Sequence, residues 1–153
     1  IVFTAAYVEI EASYLVSDGS PLQKIEDVDQ PGIRIAVSGR SAYDLFLSRN
    51  LKHAELVRAN GLAGATKLFL DKKLDVLAGL RPAMMDDLPN LPGARILDGQ
   101  FTAVQQAVGT AKGNTEAAVF LSDFVEQSKK SGLVAKLIDK HGVTGRLSVA
   151  SVN

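Results

Sequence analysis

"IRIAVSGRSAYDLFL", residues 33 to 47, decides the fold. A β-branched run from Ile33 to Val37 ends in the small residues Ser38-Gly39. It gives way to Ala42, Leu45 and Phe46 at helical spacing, which predicts a strand followed by a helix over roughly residues 41–50. The pattern recurs twice. "AELVRA" leads past Asn60-Gly61 into a helix with Leu62, Ala65, Leu68 and Phe69 on one stripe. "DVLAGL" leads into a shorter helix near Arg81-Pro82, where proline suits a first turn. A fourth strand, "ARILD", follows the Pro89 to Pro92 region. Strands alternating with helices predict a mainly parallel sheet with helices on its faces, an α/β fold.

The flanks differ. Residues 8–16 alternate, with Val8, Ile10, Ala12, Tyr14 and Val16 on one side and Glu9, Glu11 and Ser13 on the other. This predicts a strand with one face near solvent. "FTAVQQAVGTAK" is a second extended run, broken at Gly113-Asn114. From Thr115 onward Ala118, Leu121, Val125 and Ser128 recur at helical spacing. After Ser131-Gly132 a second helix carries Leu133, Val134, Leu137 and Ile138, and Gly142 stops it. The tail, "VTGRLSVASVN", is small and polar and reads as loosely ordered. A strand pattern already at residue 1 leads to the expectation of a processed or truncated chain.

With 153 residues, 46% apolar and 22% charged, the chain has enough material for one ordinary domain or two small lobes. Seventeen basic and seventeen acidic residues cancel, so no global field draws nucleic acid or anionic lipid. Cysteine is absent, which removes disulfides, thiolate metal sites and cysteine nucleophiles together.

In an open parallel sheet, ligands bind beyond the carboxyl ends of the strands. Three stretches lie there: Ser38-Gly39-Arg40-Ser41, Asn60-Gly61 and Leu80-Arg81. Ser41 suits the N-cap of the following helix, with Asp44 placed as the return half of a capping box. Unused N–H groups at that helix start favour a carboxylate or phosphate. The plainer reading is that Ser41 only caps and Gly39 only turns. Neither a phosphate-loop pattern nor a dinucleotide fingerprint occurs. His53 and His141 are isolated, and no metal or other cofactor is expected. The pairs Asp86-Asp87, Glu26-Asp27, Lys72-Lys73 and Lys129-Lys130 read as solvated surface, and Met84-Met85 as core or cleft lining.

Taken in order and spacing, residues 3–16, "IRIAVSGRSAYDLFL", "KLDVLAGL" and "AVQQAVGTAKGN" with two helices after it resemble the periplasmic amino-acid-binding proteins of bacterial ABC transporters. The resemblance implies a bilobal fold in which two hinge strands join lobes that close on a ligand. Residues 1–12 would be a hinge strand from the first lobe, 13–100 a complete second α/β lobe, 101–110 the return hinge, and 111–153 the C-terminal helices and tail of the first lobe. It implies periplasmic binding of a small polar or anionic solute, delivery to a membrane permease, and no enzymatic step. In that family a glycine and two small hydroxyl residues hold the ligand carboxylate. Gly39, Arg40 and Ser41 match those positions, with arginine at the middle one. The family's acidic ammonium contact falls near Leu80, with Arg81 next. Ligand contacts are therefore expected from Ser38, Gly39, Arg40, Ser41, Asn60 and Arg81, with Tyr7 as a cleft-lining aromatic.

Two alternatives share the scaffold: a sensor domain, and an enzyme like the cyclohexadienyl dehydratases, for which Glu9 or Glu11 would have to supply the proton donor. If first-lobe segments are missing, the helices from Thr115 to His141 expose apolar faces, and self-association is expected.

Overall fold

The computed structural model of the chain describes residues 1–152. Its backbone contacts divide into two compact units, one of Glu11–Ala103 and one of Ile1–Ile10 with Val104–Asn153.

In the first unit the strands β1 (Val2–Val16, through its second half), β2 (Arg34–Ser38), β3 (Glu55–Ala59), β4 (Val76–Leu80) and β5 (Arg95–Ile96) lie in the order β3-β2-β4-β1-β5. β2 pairs in parallel with β3 and with β4, while β1 runs antiparallel to β4 and β5. The sheet is thus parallel as expected except for β1, which enters from the other direction.

Alternation sorts its side chains onto two faces. Ala12, Tyr14, Val16, Ile35, Val37, Val76 and Ala78 pack with Tyr43 and Leu47 of helix α1 (Ala42–Asn50). Leu15, Ala36 and Leu77 pack on the opposite face with Ala65 and Phe69 of α2 (Gly61–Asp71) and Met84 of α3 (Arg81–Asp87). Phe69 is fully enclosed there, a burial worth roughly 1.5–3 kcal/mol.

This arrangement corrects the expected solvent face of the first strand. Between Ala12 and Val16 both faces are covered, and Ser13 is fully buried. Its hydroxyl meets the carbonyls of Leu97 (3.1 Å) and Gly99 (2.9 Å), so the buried polar side chain is satisfied by the main chain. A strand between two others, with helices on both sides, has no wet face to offer.

The turn between α1 and β3 is held from outside. Asp29 accepts hydrogen bonds from the backbone N–H groups of Lys52, His53 and Ala54 at 2.8–3.1 Å. Those N–H groups, Ala54's foremost, hold its carboxyl below the usual carboxylate range.

In the second unit the first half of β1 pairs with β6 (Thr102–Thr110) and antiparallel with β7 (Ser148–Val149). Helix α4 (Thr115–Lys130) is capped by Asn114, whose side chain accepts the Ala117 N–H at 3.1 Å. Gly132, in the left-handed region at φ 76°, turns the chain into α5 (Leu133–Lys140). Val8, Val134 and Ile138 form the small core, with Tyr7, Val143, Leu147 and Val149 around it.

The tail is not loosely ordered. Ser148 and Val149 pair with Glu9 and Val8, and the Ala150 N–H donates to the Tyr7 carbonyl. The buried ammonium of Lys129 donates to the Ser151 carbonyl at 2.7 Å and pairs with Glu126 Oε1 at 2.7 Å. The small residues suit a short edge strand that nothing in composition distinguishes from a loop.

Candidate functional site

The expected loops fall together at one edge of the Glu11–Ala103 sheet. The parallel register sets Ser38 opposite Ala59, and β4 flanks β2 on its other side. Ser38–Ser41 therefore lies between Asn60 and Arg81. The chain leaves β2 toward the α1 face but leaves β3 and β4 toward the α2 and α3 face. The neighbouring connections part at this point, which is the topological position where open α/β sheets hold ligands.

Ser41 is the N-cap of α1, and its hydroxyl accepts the Asp44 N–H at 3.0 Å. The return half of the box is shifted by one residue. Asp44 Oδ2 accepts the N–H of Arg40 at 2.8 Å, while the Ser41 N–H donates to the Ser38 carbonyl. The Ala42 and Tyr43 N–H groups, first and second in the helix, have no carbonyl within it to reach. They point out of the positive end of the helix dipole.

The left-handed conformation in the loop falls on Arg40, at φ 64°, and not on Gly39. A Cβ on Gly39 would meet Ala59 O at 3.5 Å and Arg58 Cβ at 3.6 Å, ordinary contacts. The strain is thus carried by a non-glycine residue, and Asp44 pins that residue's N–H in place.

Asp44 itself is buried. Besides Arg40 N–H it accepts Arg58 Nε at 3.0 and 3.2 Å and Ser48 Oγ at 3.3 Å. Burial pushes its pKa up, but the Arg40 N–H, Arg58 and Ser48 outweigh this and hold it below the ordinary value. Beneath the loop, the Tyr43 hydroxyl approaches Ser38 and Ser41 and meets no partner at hydrogen-bond geometry. Burial raises its pKa, partly offset by the two serines.

Arg81 is engaged. Its Nε donates to Glu11 Oε2 at 2.7 Å, and Nη2 to the carbonyls of Gly99 (2.6 Å) and Leu97 (3.4 Å). Asn60 is the exposed N-cap of α2 and makes no side-chain cap bond. Tyr7 belongs to the other unit, where it lines an apolar cavity of about 240 Å³ with Val108, Phe124, Ser128 and Leu137 among others.

Sequence reading did not find Asp44's partner Arg58, the buried Tyr43 hydroxyl, or the Glu11–Arg81 pair. Arg58 left one trace, a second charged residue beside Glu55 in the short strand run Glu55–Ala59. Glu11 and Arg81 are seventy residues apart, with no local signal. Two larger cavities of this unit lie elsewhere: about 480 Å³ at the opposite sheet edge beside Lys73 and Asp75, and about 530 Å³ between α2 and α3. Among the described residues no group of His, Cys, Asp or Glu is placed to hold a metal ion, and no helix is long and apolar enough to cross a membrane.

Sheet order and loop placement define an α/β fold of the periplasmic-binding-protein type. No family model matches the sequence, and no curated protein matches it. Among solved structures, the chain is similar to a solute receptor for L-cysteine from Neisseria gonorrhoeae (TM-score 0.73, 16% identity, covering 98% of this chain and 63% of that one). It is also similar to a candidate binding component of an ABC transporter from Wolinella succinogenes complexed with lysine (0.73, 21%, 90% and 61%). A third is an ancestral amino-acid-binding protein described as a precursor of cyclohexadienyl dehydratase (0.68, 20%, 90% and 60%). The neighbours are mostly binding proteins rather than enzymes, and the chain spans about 60% of their length.

Proposed function

We propose that the chain is part of a solute-binding protein that captures a small polar or anionic solute, amino-acid-like or carboxylate, and delivers it to an ABC transporter permease. Periplasmic residence belongs to the same reading. The observation that supports it most is the meeting of three loops at the switch point of β2, with Ser41 capping α1 and Arg40 exposed beside it. Ser38, Gly39, Arg40, Ser41, Asn60 and Arg81 form the proposed contact set in the α/β lobe, and Tyr7 contributes from the hinge strand. Residues 1–12 and 101–110 act as hinges between 13–100 and 111–153, and closure is driven by contacts that the ligand makes only in the closed form.

The dehydratase reading draws on the third neighbour alone. Of its two candidate proton donors, Glu11 is paired with Arg81, and Glu9 accepts a hydrogen bond from Gln105 at 3.0 Å. A thermal-shift screen against amino acids, dicarboxylates and aromatic acids tests the binding reading. Ligands of the folded state raise the melting temperature in proportion to the logarithm of concentration over Kd. A shift that disappears in Arg40→Ala/Ser41→Ala supports it. Turnover of prephenate or arogenate would replace it with the enzyme.

A further inference from the structure

The solute's charge type can be narrowed, on the premise that the binding reading above holds. Holding an ammonium group away from water requires a carboxylate that is not already neutralised. At the ligand edge of the α/β lobe the carboxylates are committed. Asp44 is buried and takes Arg58 and the Arg40 N–H. Glu11 takes Arg81, whose Nη2 is held by the carbonyls of Gly99 and Leu97. Asp98 follows β5, three strands from β2, or about 14 Å at the usual strand spacing. That is too far to serve a ligand whose carboxylate sits on α1.

The cations are not balanced in the same way. Arg40 is exposed and, among the described residues, no carboxylate pairs with it. It stands beside the open N–H groups of α1. A second feature points to a ligand at the same place: the Tyr43 hydroxyl, in a residue only 3% exposed, has Ser38 and Ser41 as its polar neighbours and makes no well-formed hydrogen bond to either. A phenol is a donor as well as an acceptor, and an anion seated on the two serines would draw their hydroxyls into one network with it.

We propose that the solute is an organic acid without an ammonium group, its carboxylate held by Arg40, Ser38, Ser41 and the first N–H groups of α1. The Glu11–Arg81 pair is then a specificity element. It occupies the one carboxylate that β1 presents beside β4, and so withholds the partner that an α-amino acid would need.

Matched ligand pairs test this by titration calorimetry on the full-length protein: glutarate against L-glutamate, valerate against L-norvaline, and 3-phenylpropionate against L-phenylalanine. The acid lacking the amino group binds at least about ten-fold tighter within whichever pair binds, and Arg40→Gln lowers that affinity by a similar factor. Arg81→Gln, which keeps a donor for Gly99 and releases Glu11, narrows the gap by at least about three-fold. Tighter binding of the amino acid overturns the inference and leaves the solute-binding reading standing. An unchanged gap in Arg81→Gln overturns the role of the ion pair. No binding by any member overturns the solute-binding reading and this inference with it.

Discussion

Replacing Asp44 by Asn removes one charge and changes almost no volume, which makes it a clean probe of the binding loop. The carboxylate accepts from Arg40 N–H (2.8 Å), Arg58 Nε (3.0 Å) and Ser48 Oγ (3.3 Å). Asparagine offers one carbonyl oxygen, so its NH₂ must face either Arg40 N–H or Arg58 Nε, donor against donor. One charge-assisted hydrogen bond is lost, worth about 1.5–3 kcal/mol. The Coulomb part adds little, because the Arg58 side chain is about half exposed and water screens it. A loss near 2 kcal/mol lowers the melting temperature by roughly 4–8 °C for a chain of this size.

The pH dependence provides the control. Asp44 is depressed in the folded state, so its contribution is complete above the unfolded value of 3.8 and is lost as pH falls through the folded pKa. The gap between the melting curves of wild type and Asp44→Asn, followed by circular dichroism from pH 7 to pH 3, should therefore hold down to the unfolded value of 3.8 and narrow below it. A difference under about 1 °C at pH 7, or one that persists undiminished at pH 3, would refute the account of Asp44 as the residue that fixes Arg40.

Arg40→Gly relieves a left-handed arginine, a cost of roughly 1–2 kcal/mol, and returns about 0.5–1 kcal/mol of chain entropy, so urea melts should show a net gain near 0.5–1 kcal/mol while affinity for the solute falls. Lys129→Met removes the buried ammonium that holds the Ser151 carbonyl and frees the tail, which should cost about 2 kcal/mol and speed hydrogen exchange at the Ala150 amide at least ten-fold. The exposed Phe3, Val119, Phe120, Phe124, Leu133 and Leu137 of the second unit predict that these 153 residues expressed alone self-associate and bind a hydrophobic dye; a dye-negative monomer in sedimentation would count against that.

The α/β units were legible because each strand pattern ended in small residues before a helical stripe. That is a local signal, and the switch point at Ser38 follows from it once the order β3-β2-β4 is known. Legibility failed where partners are distant in sequence. Ser13 looked like a solvent-facing residue because alternation reports which residues share a face, not whether that face is covered. Its acceptors lie more than eighty residues away. Glu11 was grouped with Ser13 for the same reason, and its arginine is equally remote. The capping box was read correctly at Ser41 but misplaced by one residue at its return, since only backbone geometry reveals that Arg40 adopts a positive φ. The tail illustrates the converse. Its order comes from a two-residue pairing and one buried lysine, neither of which has a compositional signature.

Asp29 has a consequence for how this lobe tolerates change over time. One carboxylate grips three successive main-chain amides, Lys52, His53 and Ala54, so the corner behind α1 is recognised without regard to what those residues carry. Drift is therefore permitted on one side of the contact and forbidden on the other. Saturation mutagenesis should find Lys52 and His53 indifferent to almost every replacement except proline, which has no amide hydrogen to give, and Asp29 intolerant even of glutamate's extra methylene. The identity of the corner is stored 23–25 residues upstream of it, in a single side chain.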